Sequence, residues 1–433
     1  MKRQSFDLVL RLVGLAVVLL MVAGCGSTVP TLPPLDTASP SAVVETPSAG
    51  SSDVTPAAES PSASSSGASP TASGTPVALR TALPRGPWVA GQTVLEDRLV
   101  APYQGWVTTN RGVYQTLDDG TTWANATPPH LIVSKIRGLG ALDANHALLA
   151  VSDVTSSSTT YYIWRTTDGG ANWAYVALPA IRHAVSCGTD RNCVSGPGDT
   201  GAAFNYVNAG VAFLTLPFYQ DIEGVYSFIY ETVDGGATWT RLSFPGGDLY
   251  TGGNAPQVFF SSATSGVVIS GGDAFGTSSG WGHWTDRQIM DMSGDNPWVD
   301  LTPSLVDDTH WFISGQIDTH GTLTYAFSSD QGRTWVQRTC GGLNVAGIDD
   351  VTVRFIDSIN WVASVMVETG PAYTFMTGDG GANWTNMRRQ PVVGSQALFL
   401  DLVHGWAGPS ENVPTNRLYT TTDHGMTWRL ITP

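Results

Sequence analysis

Lysine is nearly missing from this chain: Lys2 and Lys135 are the only two in 433 residues. Charged side chains of either sign make up 13% of it, with 21 basic against 36 acidic and a net charge of −15. So acidic a chain repels phosphate, which excludes nucleic acid as a partner. Cysteine is scarce, at four residues, and the eight histidines are scattered without metal-ligand spacing, so neither a metal nor a cofactor is expected. No glycine-rich phosphate loop and no Ser/His/Asp arrangement stands out, and no catalytic residue is assigned. No amphipathic helical pattern occurs after residue 85 either.

The chain starts on a targeting signal. Lys2, Arg3 and Arg11 precede an apolar run over 12–23, too short for a transmembrane helix, which needs about 20 residues. The run ends in Met21-Val22-Ala23-Gly24-Cys25, small residues directly before a cysteine. This resembles the lipobox of bacterial lipoproteins, which implies that Cys25 takes a diacylglycerol and becomes the mature N-terminus. An ordinary secretory signal with an incidental cysteine is the alternative. Residues 1–24 then form the signal, and 25–84 form a Ser/Thr/Pro/Ala-rich stretch without a single aromatic residue. It cannot bury enough apolar surface to offset its ordering entropy. It is expected to be a disordered tether, about 40 to 45 Å from end to end. The expected location is the extracytoplasmic face of a membrane, held by the lipid anchor. In that oxidising setting Cys187 and Cys193 are expected to close a small disulfide loop contributing about 2 kcal/mol. The alternative is free thiols. Cys340 is left over as a buried thiol.

All 15 tryptophans lie beyond residue 85, and they mark a repeat. One eight-residue box recurs: Ser or Thr, any, Asp, any, Gly, any, Thr or Asn, Trp. It appears as TLDDGTTW (116–123), TTDGGANW (166–173), TVDGGATW (232–239), SSDQGRTW (328–335), TGDGGANW (377–384) and TTDHGMTW (421–428). The gap between Trp239 and Trp335 has room for a seventh copy, which the ending WVDLTP places in worn form at Trp298, with a scrambled Asp and Gly frame. Upstream of each box runs an apolar, strand-like stretch, as in QGWVTT, HWFISG, NWVASV and HGWAG. Seven all-β repeats of this length predict a seven-bladed β-propeller over 85–433, with about four strands per blade.

The box suits a tight hairpin. The aspartates, Asp118, Asp168, Asp234, Asp330, Asp379 and Asp423, can accept backbone N–H groups across a turn, and the glycine tolerates a positive φ. The tryptophans, Trp123, Trp173, Trp239, Trp335, Trp384 and Trp428, then start the next strand. Full burial of each ring would contribute about 4 to 6 kcal/mol at most. Catalytic or calcium-binding roles would need convergence, whereas these carboxylates recur once per repeat.

The pattern resembles the BNR or Asp-box repeat of sialidases, sortilin-type receptors, some glucanases and the photosystem II stability and assembly factor family. Its phrasing is most similar to the last of these. The resemblance implies a sialidase-like fold without sialidase catalytic residues: the only arginine near the position of that family's first substrate arginine is Arg85, in ALPRGP. The function it implies is a binding or scaffolding module for a protein or glycan partner in an envelope complex. The alternative is a glycoside hydrolase acting on extracellular glycans. Candidate partner surfaces are the connections at 186–220 and 271–297, where the repeat is irregular, and deletion of 271–282 is expected to spare folding. The paired carboxylates Asp349 and Asp350 read as turn residues, and Arg388 and Arg389 as a charged strand edge.

Overall fold

The computed structural model describes residues 83–183, 193–194, 201–220, 224–242, 249–251, 257–270, 273–280, 285–287, 302–306, 309–317, 322–343, 348–367, 372–385, 388–391, 397–408 and 417–432. Short strands with turn residues between them pair into seven sheets, antiparallel except where Cys193–Val194 runs parallel to Ile181–His183, and no α-helix occurs among the described residues. The sheets are the blades: 94–125, 136–177, 203–242, 257–287, 302–340, 348–389 and 397–430. The first strands of successive blades touch one another from blade 1 to blade 6, which sets them around the axis and the fourth strands at the rim. The chain is a seven-bladed β-propeller.

Each pair of neighbouring blades encloses its own apolar core, seven in all among the described residues. One of them joins the last blade to the first, through Trp406, Leu418 and Ile431 against Val107, Tyr114 and Trp123, so the ring is closed. No strand is shared across that seam. All described strands of blade 1 come from the N-terminal end and those of blade 7 from the C-terminal end. Side chains fasten it instead. Asp119 accepts from Thr420 Oγ1 at 2.7 Å and from Arg429 Nη2 at 2.6 Å, and Trp123 Nε1 donates to the Ile431 carbonyl at 3.4 Å.

The repeat boundaries decide several sequence expectations. The connection expected at 186–220 is shorter, because Ala203–Tyr206 and Ala212–Gln220 are the first two strands of blade 3. Asp273–Thr277 is the third strand of blade 4, so removing 271–282 would delete a blade strand and cannot spare the fold. Asp349 and Asp350 are not in a turn but in the first strand of blade 6, Ile348–Phe355. Arg388–Arg389 does form an exposed outermost strand.

Candidate functional site

Six boxes fold into one hydrogen-bonded cassette each. In blade 5, Ser328 Oγ donates to Asp330 Oδ1 at 2.9 Å and accepts from Gly332 N at 2.8 Å. Asp330 Oδ1 also accepts from Thr334 N at 2.8 Å, and Oδ2 from Thr334 Oγ1 at 2.6 Å. The same bonds recur around Asp118, Asp168, Asp234, Asp379 and Asp423, with Asn172 or Asn383 replacing threonine in two of them. The fourth and fifth positions both adopt positive φ, as in Gln331 at 60° and Gly332 at 71°. Glycine at the fifth position is doubly required: a Cβ on Gly332 would stand 2.6 Å from the Trp311 ring, and one on Gly120 2.5 Å from Ile431.

These bonds set the ionisation of the box carboxylates. Partial burial raises their pKa, but the bonds from the residue four positions on and from the Ser or Thr outweigh it, and all six lie below the ordinary 3.8. A depressed acid stabilises the fold above the unfolded value and loses that contribution as pH falls through the folded one. Unfolding by urea at a series of pH values should therefore show stability dropping below pH 3.8. At neutral pH, Asp330→Ala should lose about 1–2 kcal/mol, as for an N-cap that satisfies the same kind of backbone donor.

A second fastener lies opposite the box hairpin in five blades, and sequence reading missed it. In the turn between first and second strands, Asp143, Asn208, Ser262, Asp357 and Asp401 each accept the N–H groups two and three residues on, at 2.7–3.2 Å. Their signal was a polar residue of Asx or Ser type at a fixed offset before the second strand. Blade 1 has Ala101 at that place and turns through Tyr103, at φ 69°. The fourth box position then donates its N–H to this turn's carbonyl in all seven blades. The pairs include Asp119 to Tyr103 at 2.7 Å, Gly169 to Asn145 at 3.1 Å and Gly380 to Ile359 at 2.9 Å.

That bond locates the fourth hairpin. Gly280, at φ 84°, donates to the Thr264 carbonyl at 2.8 Å, and Thr277 ends the third strand just as the box Ser or Thr does elsewhere. The worn box is thus TSSGWGHW at 277–284, with Ser279 in the aspartate's place, and the fourth strand Thr285–Arg287 follows it. This corrects the placement at Trp298, which itself lies outside the described residues. By sequence position Trp284 replaces it, and the tryptophan spacings on either side become 45 and 51 residues instead of 59 and 37.

The structure does not gather the six aspartates. Each belongs to a different blade, in the hairpin between the third strand and the rim strand. Among the box tryptophans only Trp123 is fully buried, and the other five are half-buried. The deepest rings are Trp106, Trp311, Trp361 and Trp406 of the second strands, each at most 1% exposed. Arg85 binds the Gln115 carbonyl and side chain, at 3.3 and 2.7 Å, and so pins the strand Arg85–Gly86 to the rim of blade 1. Trp88 packs on Trp123 with ring centroids 5.0 Å apart. Cys25 and Cys187 lie outside the described residues. Cys193 belongs to a short strand beside Ile181–His183, and Cys340 is buried under Gly381. No cluster of three or more metal-ligating side chains occurs among the described residues.

One carboxyl departs from this pattern. Asp97, on the innermost strand of blade 1 at the seam, is 5% exposed, and its Oδ2 has no hydrogen-bond partner. Burial pushes its pKa up to about 7, with Arg98 lowering it and Glu96 raising it. Its neighbour Glu96 reaches across to blade 2, where Oε2 accepts from Leu139 N at 2.8 Å.

The two ends of the ring are built differently. At the box end, six blades have five residues between first and second strands, and five have seven between third and fourth. At the opposite end, the connections between second and third strands run from two residues in blade 1 to 11 in blade 7. Those between blades run from seven to 25.

No family model matches the chain. A curated xyloglucanase from Paenibacillus sp is 23% identical over 204 residues, which are 44% of this chain and 20% of the enzyme. The chain therefore spans about a fifth of that relative's length. Among solved structures, one of YCF48 bound to D1 peptide is 16% identical and has a TM-score of 0.46, with 78% of this chain and 96% of that one covered. An ancestral GH74 enzyme is 13% identical with a TM-score of 0.43, over 79% of this chain and 45% of the enzyme. An oligogalacturonate lyase in complex with manganese is 8% identical with a TM-score of 0.49, over 79% and 98%.

Proposed function

We propose that the protein is a non-enzymatic binding or scaffolding propeller of the Asp-box type, tethered through Cys25 to the outer face of a cell membrane. A protein partner docks at the end of the ring opposite the boxes. The observation that carries this reading is the contrast between the two ends. The box end repeats the same internally bonded turns, so its backbone groups and carboxylates are already engaged in holding the fold. The opposite end carries the connections whose lengths vary most from blade to blade, and recognition sites concentrate on such segments when a rigid scaffold presents them. Within this reading the box aspartates are fasteners, since their oxygens are occupied by turn donors.

The experiment is affinity capture of the tethered protein from its own membranes, followed by mass spectrometry and reconstitution with the captured protein. The reading expects a stoichiometric partner that is lost when 409–416 is replaced by two glycines, which leaves Gly408 and the seam residue Leu418 in place, and kept when Asp330 is replaced. A partner that survives the shortening but not a box-end change would overturn the docking face. The xyloglucanase match favours a second reading, hydrolysis of an extracellular glycan. Turnover of fluorogenic glycosides by the purified chain would establish it and displace the first.

A further inference from the structure

The rim of blade 2 carries three aromatic rings that its neighbours cover only in part. Tyr162 and Trp164 alternate with the buried Tyr161 and Ile163 along the strand Ser158–Thr166, so they face blade 1 while the other two face blade 3. Tyr175 stands opposite Trp164 on the rim strand. Its ring lies 4.6 Å from that of Trp164 and 6.0 Å from that of Tyr162. Tyr175 is 56% exposed, and the other two are half-buried.

The rings are open because adjacent blades differ in reach. The third strand of blade 2 has nine residues, whereas the third and fourth strands of blade 1 have five and three. Counted back from the box, Tyr162 is level with Gly112, where the third strand of blade 1 begins. Blade 3 shows the covered version of the same place. There Phe228 and Tyr230 are buried, and Arg241, at the position of Tyr175, lies over the Phe228 ring at 4.2 Å. In blade 2 a third ring takes the place of that cation.

The chemistry of this surface narrows what it can hold. Neither phenol hydroxyl nor the indole N–H of Trp164 has a hydrogen-bond partner among the described residues. On the second strand of the blade, Asp153 is neutralised by its ion pair with Lys135. A fitting ligand is uncharged, lays an apolar face on the rings and carries hydroxyls at their edges. A pyranose combines these features: its axial C–H bonds form a weakly positive apolar face, complementary to the negative face of an aromatic ring, and its hydroxyls radiate at the sides. We propose that the open rim of blade 2 binds a neutral pyranose glycan chain stacked on Trp164, Tyr175 and Tyr162. This site is separate from the partner-docking end of the ring and does not rest on that reading.

The full chain is titrated with cellohexaose and, separately, chitohexaose, followed by tryptophan fluorescence and calorimetry. Tyr175→Ala and Tyr175→Phe are the variants, and their Tm values confirm an intact fold. The expected result is saturable binding of at least one oligosaccharide, weakened about tenfold or more in Tyr175→Ala and largely kept in Tyr175→Phe, which retains the ring. Absence of saturable binding to both, or binding indifferent to Tyr175→Ala, overturns the proposal. So does a surface that instead takes phosphatidylcholine–phosphatidylglycerol vesicles in a Tyr175-dependent way.

Discussion

Replacing Asp97 by asparagine is expected to abolish a loss of stability of about 4 kcal/mol that the wild-type protein undergoes between about pH 4 and pH 8. The sign is the reverse of that for the box aspartates. Below 3.8 both the folded and the unfolded chain hold this proton, and Asp97 contributes nothing to the pH dependence. Between 3.8 and about 7 the unfolded chain releases the proton while the buried carboxyl keeps it, so stability falls as pH rises. Above about 7 the folded protein carries a buried charge with an unpartnered oxygen, and the full penalty is present. Each pKa unit corresponds to about 1.4 kcal/mol. Urea unfolding of both proteins across this range gives the difference directly. The slope is the readout, because any effect of the carboxamide's own buried N–H is the same at every pH. An Asp97→Asn protein whose stability tracked wild type at all pH values would refute the assignment. Together with the box aspartates, this places maximal stability on the acidic side of neutrality, between the two opposing titrations.

The second large effect separates two classes of tryptophan. Trp361→Ala should lose about 3–5 kcal/mol, the usual range for emptying a fully buried aromatic site. Its ring lies 4.9 Å from Phe355, 5.1 Å from Tyr325 and 5.8 Å from Phe312, and its Nε1 donates to the Asp357 carbonyl at 3.1 Å. Trp384, the box tryptophan of the same blade, is half-buried with its ring 6.4 Å from that of Trp361. Trp384→Ala should lose less, since its ring is only partly withdrawn from water. Denaturant midpoints for the two variants test the ranking. Equal losses would mean that the box ring anchors the interface between blades as strongly as the second-strand ring does.

Much of this molecule was legible because its local rules repeat. A Ser or Thr, an aspartate, a glycine and a tryptophan at fixed offsets specify one hairpin through bonds that span no more than four residues, so six of them could be read without a fold. The hairpin of blade 4 was misread because Ser279 stands in the aspartate's place there. What marks it is a positive φ and a bond to Thr264, neither of which a composition pattern displays. The turn caps at Asp143, Asp357 and Asp401 were overlooked for a related reason. A lone Asx residue before a strand is common, and only its bond to the box across the blade end sets these apart.

The sequence by itself determined the class of fold, the number of repeats and the chemistry of the hairpins, because those depend on residues near one another in the chain. Tertiary structure alone decided which tryptophans are deep, how the ring closes through Asp119, Thr420 and Arg429, and why burial pushes the Asp97 carboxyl up. It also decided that Tyr175 stays exposed and that Tyr162 and Trp164 are only partly covered. Each of these depends on which face of one blade meets the next. The contacts at the seam join residues about 300 positions apart, where no periodicity along the chain can reach.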